Sequence, residues 1–263
     1  MTDDLPSLIL HIAHSATAIP EDVRKTILLS DAELAGELLG MTDHFTDELF
    51  RLPGAAARLI YPVSRLVLDP ERFTDDAQEV MAARGMGAIY TRTSRGTVLR
   101  EPPAQGLREE WIARFHAPHH RALAAAVQYR LSAHGHCLIV DCHSFASAPL
   151  PYELDQDPSR PEICIGTDPV HTPPALTELA TSLFRSAGLT VAVNRPFAGS
   201  LVPASHYRLV PAVHSIMIEV NRALYMDERT GAQAAGFGAV ASLLASVLAR
   251  LREADSERSA GAL

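Results

Sequence analysis

The stretch "CLIVDCHSFA" (residues 137–146) decides how the rest of the chain is read. Cys137 to Val140 form the apolar run of a strand buried on both faces, as in a mostly parallel sheet. The run then ends in Asp141, Cys142, His143 and Ser144, side chains suited to proton transfer and metal binding. Successive side chains of a strand alternate between faces, so Asp141 and His143 share one face and Cys142 takes the other. The stretch therefore predicts a rigid core strand that delivers polar groups at its carboxyl end.

Further strands are expected on either side. "SLILHIAH" (7–14), "PEICIGTD", "LTVAVN" and "AVHSIMIEV" have the same short apolar character. "RLIYPVSRLVLDPERF" contains a short strand expected to break at Pro70, and "GAIYTRTSRGTVLR" reads as two short strands around a Ser-Arg-Gly turn. Helical segments alternate with these strands. In "LSDAELAGELLGMTDHFTDELF", Ser30 with Glu33 three residues on is a capping-box pattern. "LREEWIARFHAPHHRALAAAVQYRLSAHG" predicts a helix interrupted at Pro118 and stopped at Gly135. "ALTELATSLFRSAG" and a long C-terminal segment complete the set. The alternation predicts an α/β fold with a mixed, mostly parallel central sheet flanked by helices. No internal repeat or linker divides the chain, so residues 1–263 are expected to form one catalytic domain, with a frayed tail over about 254–263.

A formal charge of −8 argues against a nucleic-acid or anionic-membrane partner, because binding phosphate needs a basic surface. No apolar run is long enough to span a bilayer, and the acidic start "MTDDLPS" is unlike a secretory signal. Three cysteines make no disulfide framework and fit a reducing compartment. A cytoplasmic location is expected.

Ligand sites of open α/β sheets gather outside the carboxyl ends of strands. The first strand ends at His14-Ser15, "CLIVD" at His143, "LTVAV" at Asn194-Arg195, and "SIMIEV" at Glu219 with Asn221-Arg222 beyond. Two histidines and a carboxylate on separate elements are the ligand set of a catalytic site for Zn²⁺, or another divalent transition metal, with a position left for water. His14 and His143 are the candidate histidine ligands, and Asp43 or Asp47 the carboxylate, on one face if "TDHFTDEL" is helical. Glu219 at the end of an apolar strand needs a nearby cation or donor, and is the candidate general base. Arg65, Arg72, Arg92 and Arg222 are candidates for holding a small dicarboxylate substrate, since a guanidinium grips a carboxylate through paired hydrogen bonds.

The segments "HIAHSATAIPEDVR", "MTDHFTDELF", "VSRLVLDPERF", "GMGAIYTRTSRGTVLR", "IVDCHSFAS", "NRPFAGS" and "IEVNRALYMDE" occur in order between about residue 8 and residue 228. Together they resemble the N-formylglutamate amidohydrolases. The resemblance implies a zinc-peptidase-like α/β fold, akin to metallocarboxypeptidases. It also implies hydrolysis of N-formyl-L-glutamate to formate and L-glutamate, the last step of one histidine-degradation route. Its motifs fall on His14-Ser15, on Asp141 to Ser144, on Asn194 to Gly199 and on Glu219 to Arg222. Asn194 thereby joins the arginines as a substrate-binding candidate. The family's Pro-His-Ser-Gly stands here as Ala13-His14-Ser15-Ala16. Asp43 is preferred to Asp47 as third ligand, though the resemblance does not choose between them.

Overall fold

The computed structural model describes residues 7–54 and 56–261. Its strands are β1 (Leu8–Ile12), β2 (Ala57–Ile60), β3 (Cys137–Phe145), β4 (Ile163–Gly166), β5 (Val191–Val193) and β6 (Val213–Asn221). They form one sheet in the order β2-β1-β3-β6-β4-β5. The first four in that order are parallel. β4 runs antiparallel to β6 and carries β5 parallel to itself. The mixed, mostly parallel sheet expected from the sequence is thus present. The main helices are α1 (Asp31–Met41), α2 (Ala117–His134), α3 (Pro174–Ser186) and α4 (Phe237–Gly261).

Alternation along the strands separates two chemistries. Leu8, Leu10 and Ile12 of β1, Leu138, Val140 and Cys142 of β3, and Ile216, Ile218 and Val220 of β6 share one core cluster. Leu176 and Phe184 of α3 and Leu244, Leu248 and Leu251 of α4 cover that face. The opposite face begins apolar, with Ile9, Ile139 and Val213 against Leu123 and Val127 of α2. Further along the same strands it turns polar, at His11, Asp141, His143 and Glu219. β3 is buried at every position, which is why its first half reads as an unbroken apolar run.

Several local expectations are corrected. The strand in "RLIYPVSRLVLDPERF" ends at Ile60, two residues before Pro62, rather than at Pro70. The chain from Tyr61 then folds back through turns, with Ser64 N–H donating to the Ala18 carbonyl (2.8 Å) and Asp69 N–H to that of Ala88 (2.8 Å). This return carries Asp69 and Glu71 to the end of β1. The two strands expected around Ser94-Arg95-Gly96 reduce to one bridge, Arg92 with Val98. Pro118 does not break its helix. A π-helical turn, Ile112–His116, precedes it and widens the ladder where proline lacks an N–H. Gly135, at φ 75°, does end α2, in the left-handed region open to glycine. Helix α4 continues to Gly261, through residues expected to fray. Ser30 and Glu33 form the expected capping box on α1. Among the described residues, no helix is long and apolar enough to cross a membrane.

Candidate functional site

The polar half of the sheet face holds a buried cluster of histidines and carboxylates. His143 and Glu219 are paired neighbours on the parallel strands β3 and β6, and His11 and Asp141 are paired on β1 and β3. His14 lies two residues beyond β1. Asp43 follows α1, its N–H donating to the His14 carbonyl at 3.0 Å. The helix expected across "TDHFTDEL" is broken there, since Phe45 has φ 64°. Asp43 therefore turns into the site, while Asp47 lies on a separate helical turn, its carbonyl taken by Arg51 and Arg58.

His14 and His143 stand between two sets of carboxylates. On one side Asp43 Oδ2 is 3.1 Å from His143 Nδ1 and 3.7 Å from His14 Nδ1. On the other, His14 Nε2 lies 3.0 Å from Asp69 and 3.5 Å from Glu71. His143 Nε2 is 3.1 Å from both Glu71 and Asp141. His11 Nδ1 meets Asp141 at 2.8 Å, and its Nε2 meets His119 Nε2 at 2.8 Å. Two groups, His14-Glu71-His143 and His11-Glu71-Asp141, have ligand atoms within 4.8 Å of one another. The cluster has the donors to bind a metal ion.

Two buried atoms in this cluster have no hydrogen-bond partner: His14 Nδ1 and Glu219 Oε2. Burial pushes the Glu219 carboxyl up to about 8. Burial would also raise Asp43, but the hydrogen bond from His143 and the charges of His14 and Arg222 hold it well below the usual carboxylate range. Burial opposes the charged form of His143, yet Glu71 and Asp141 raise it well above the ordinary histidine value. The carboxylates here outnumber the guanidiniums, and the histidines share in compensating them. Asp43, Asp69, Glu71, Asp141 and Glu219 face the guanidiniums of Arg65, Arg72 and Arg222.

The expected substrate-binding residues separate on folding. Arg65 donates to Asp69 (2.8 Å) and to the Tyr90 hydroxyl (3.1 Å), and lies 4.0 Å from Asp43. Arg72 lies 3.8 Å from Asp69 and 3.4 Å from Glu79. Both border the cluster. Arg222 is nearby, but its donors go to the carbonyls of Gly40 and Ser144, the Ser144 hydroxyl and Asp43. It braces Asp43. Arg92 is exposed on the bridge to Val98, and its guanidinium donates to the Gly96 carbonyl (3.4 Å). Asn194 follows β5, which runs opposite to β3 and β6 at the far edge of the sheet, so it is exposed and level with the middle of β6 rather than with its carboxyl end. Its side chain bonds to Thr167 there. The remainder of that loop does reach the cluster, with Leu201 N–H donating to Asp141 Oδ2 (3.2 Å).

Sequence reasoning assigned no site role to His11, Asp69 or Glu71. His11 was legible in part, since it interrupts the apolar run of "SLILHI". Asp69 and Glu71 stand in sequence beside Arg65 and Arg72, and only the fold-back after β2 brings them to the histidines.

The chain matches the family model described as N-formylglutamate amidohydrolase over residues 6–226. It is 26% identical over 237 residues to the N-formylglutamate deformylase of Pseudomonas aeruginosa, covering 84% of this chain and 83% of that protein. Among solved structures, an N-formylglutamate amidohydrolase from Ralstonia eutropha superposes with a TM-score of 0.80 at 24% identity, over 95% of this chain and 94% of the other. A gene product of Agrobacterium tumefaciens gives a TM-score of 0.66 at 19% identity, over 95% and 91%. With most of its length matched by the family model and the same fold in these structures, the chain belongs to the N-formylglutamate amidohydrolase family.

Proposed function

We propose that this protein is a metal-dependent deformylase that hydrolyses N-formyl-L-glutamate to formate and L-glutamate, serving, as the family resemblance implies, a histidine-degradation route. The observation that carries the reading is the convergence of His14, His143 and Asp43 beside Glu219, a buried carboxyl with an unpartnered oxygen.

The residues fit a divalent ion. His14 Nδ1 is buried without a partner, whereas both Nε2 atoms already face carboxylates. That is the arrangement in which a histidine offers one nitrogen to a metal and donates the other N–H to an orienting carboxylate. Asp43 Oδ2 lies on the Nδ1 side of both rings, so Asp43 is the third ligand in this reading. Asp69, Asp141 and Glu71 hold the rings in place. Two imidazole nitrogens and one carboxylate oxygen suit Zn²⁺. Glu71 is the competing ligand, on the Nε2 side.

A metal held there supplies Lewis acidity, which polarises the formyl carbonyl and acidifies water. Glu219, beside His143, accepts the proton of the attacking water and returns it to the amide nitrogen as the C–N bond breaks. Formate and a free amine leave. Arg65 and Arg72, at the edge of the cluster, receive substrate carboxylate, and Arg222 keeps Asp43 in position.

The test is turnover of N-formyl-L-glutamate by metal-replete protein with and without chelator, together with metal analysis. Formate release that chelator abolishes and Zn²⁺ restores is expected. No release by metal-replete protein rules out the substrate, and full release by metal-free protein rules out the metal. Faster hydrolysis of an N-acetyl or N-carbamoyl analogue would move the assignment to another deacylase.

A further inference from the structure

Arg160 is a buried cation with most of its donors unused. Its side chain is 2% exposed. Nη2 donates to Glu153 and to the Asp155 carbonyl, while Nε and Nη1 have no hydrogen-bond partner. Of the five N–H donors of a guanidinium, three sit on those two nitrogens. Leaving buried donors of a charged group unmet is unfavourable, so the arrangement calls for an anionic acceptor.

The position of Arg160 follows from the reversal of β4. Because β4 is antiparallel to β6, the residues entering it lie at the rim where β3 and β6 end. Asn221 fixes this segment, its backbone N–H donating to the Glu162 carbonyl (2.9 Å) and its side chain to that of Pro161 (3.1 Å). The guanidinium carbon is 6.0 Å from the centroid of the Phe197 ring. Phe197 in turn lies 5.8 Å from Phe145, which follows His143 by two positions and shares its strand face. An aromatic wall therefore leads from the histidine ligands to Arg160. The electrostatics agree with this placement. Burial raises the Tyr152 phenol, opposed by Arg65, Arg72 and Arg222. The adjoining Glu153, also raised by burial, is opposed by Arg160 and Arg222. Tyr152-Glu153 thus spans from the Arg65-Arg72 border to Arg160.

We propose that Arg160 is the receptor for the side-chain carboxylate of the amino-acid substrate, and so the residue that selects glutamate. The side-chain methylenes lie against Phe197 and Phe145, and the carboxylate accepts the hydrogen bonds that Glu153 and Asp155 leave unused. Glu153 is a positioning residue for the guanidinium. Arg65 and Arg72 are partly committed to Asp69 beside the histidines, and take the α-carboxylate. This inference rests on the deformylase reading and adds its side-chain specificity.

The experiment measures binding of L-glutamate and L-glutamine by calorimetry, and kcat/KM for their N-formyl derivatives, with metal-replete wild type, Arg160→Gln and Arg160→Lys. Wild type is expected to prefer glutamate. Arg160→Gln should lose about 10²-fold or more in both measures for glutamate and its formyl derivative, as when one partner of a buried charge pair is removed. The glutamine pair should lose at least about ten-fold less, because a neutral amide forfeits only hydrogen bonds and not a charge pair. Arg160→Lys, which keeps the charge but not the fork, should fall between and remain folded if the glutamine variant does not. Equal losses for glutamate and glutamine, an unaltered glutamate affinity, or a wild type without preference for glutamate would overturn the proposal. Failure of the deformylase reading looks different: wild type that binds glutamate selectively through Arg160 but releases no formate.

Discussion

Ile218 and Glu219 are adjacent on β6 and share one backbone ladder, yet their side chains meet opposite surroundings. Ile218 packs in the cluster formed with α3 and α4. Glu219 turns to the other face, beside His143, with Oε2 buried and unpartnered. The same alternation separates Cys142 from Asp141 and His143 on β3. The apolar face removes hydrocarbon from water and holds the strands rigid. The polar face concentrates like charges in a buried space, which opposes folding unless cations or a metal compensate. Stability and chemistry are therefore addressable one residue apart.

The largest expected effect tests the polar face. Glu219→Gln should lower kcat for N-formyl-L-glutamate by about 10³-fold, the scale of a lost general acid–base group. Its denaturation midpoint should be equal or higher, because the buried unpaired carboxyl is gone. A kcat within a few-fold of wild type would remove Glu219 from the mechanism. The twin substitution, Ile218→Ala, should do the reverse, costing about 3 kcal/mol in urea unfolding with kcat little changed. If it abolished activity while unfolding normally, the two faces would not be separable.

Next comes metal affinity. Asp141→Asn should weaken it by about 10- to 100-fold, the effect of losing a carboxylate behind a ligating histidine. Asp43→Asn should weaken it more than Glu71→Gln. The opposite order, read by competition with a metal-sensitive dye, would move the ion to the Nε2 side of the rings. The smallest effect lies away from both faces. Ser30→Ala removes the capping box of α1 and should cost about 1 kcal/mol of stability. Since α1 leads to Asp43, a change in metal affinity without that loss would show that the cap sets the ligand's position.

The class of fold was legible because burial on both faces leaves a plain signature, the apolar runs of β1, β3 and β6. The strand ends were legible too, and His14, His143 and Glu219 fall together as their positions suggested. Reading Asn194 into the same rim failed because nothing in "LTVAVN" distinguishes a parallel strand from a reversed one. Arg92 is turned outward, and a short hairpin-like segment does not reveal which side chains are.

What the sequence determined by itself was local: periodicity, caps, stops and which residue types stand at the ends of apolar runs. These follow from steric and hydrogen-bonding preferences within a few neighbours. Only tertiary structure decided that Asp43 rather than Asp47 enters the cluster, that Asp69 and Glu71 return to the histidines, and that Arg160 faces the same rim. Each depends on chain direction and on contacts between distant segments. His143 and Asp43 are 100 residues apart in sequence, and 3.1 Å apart in space.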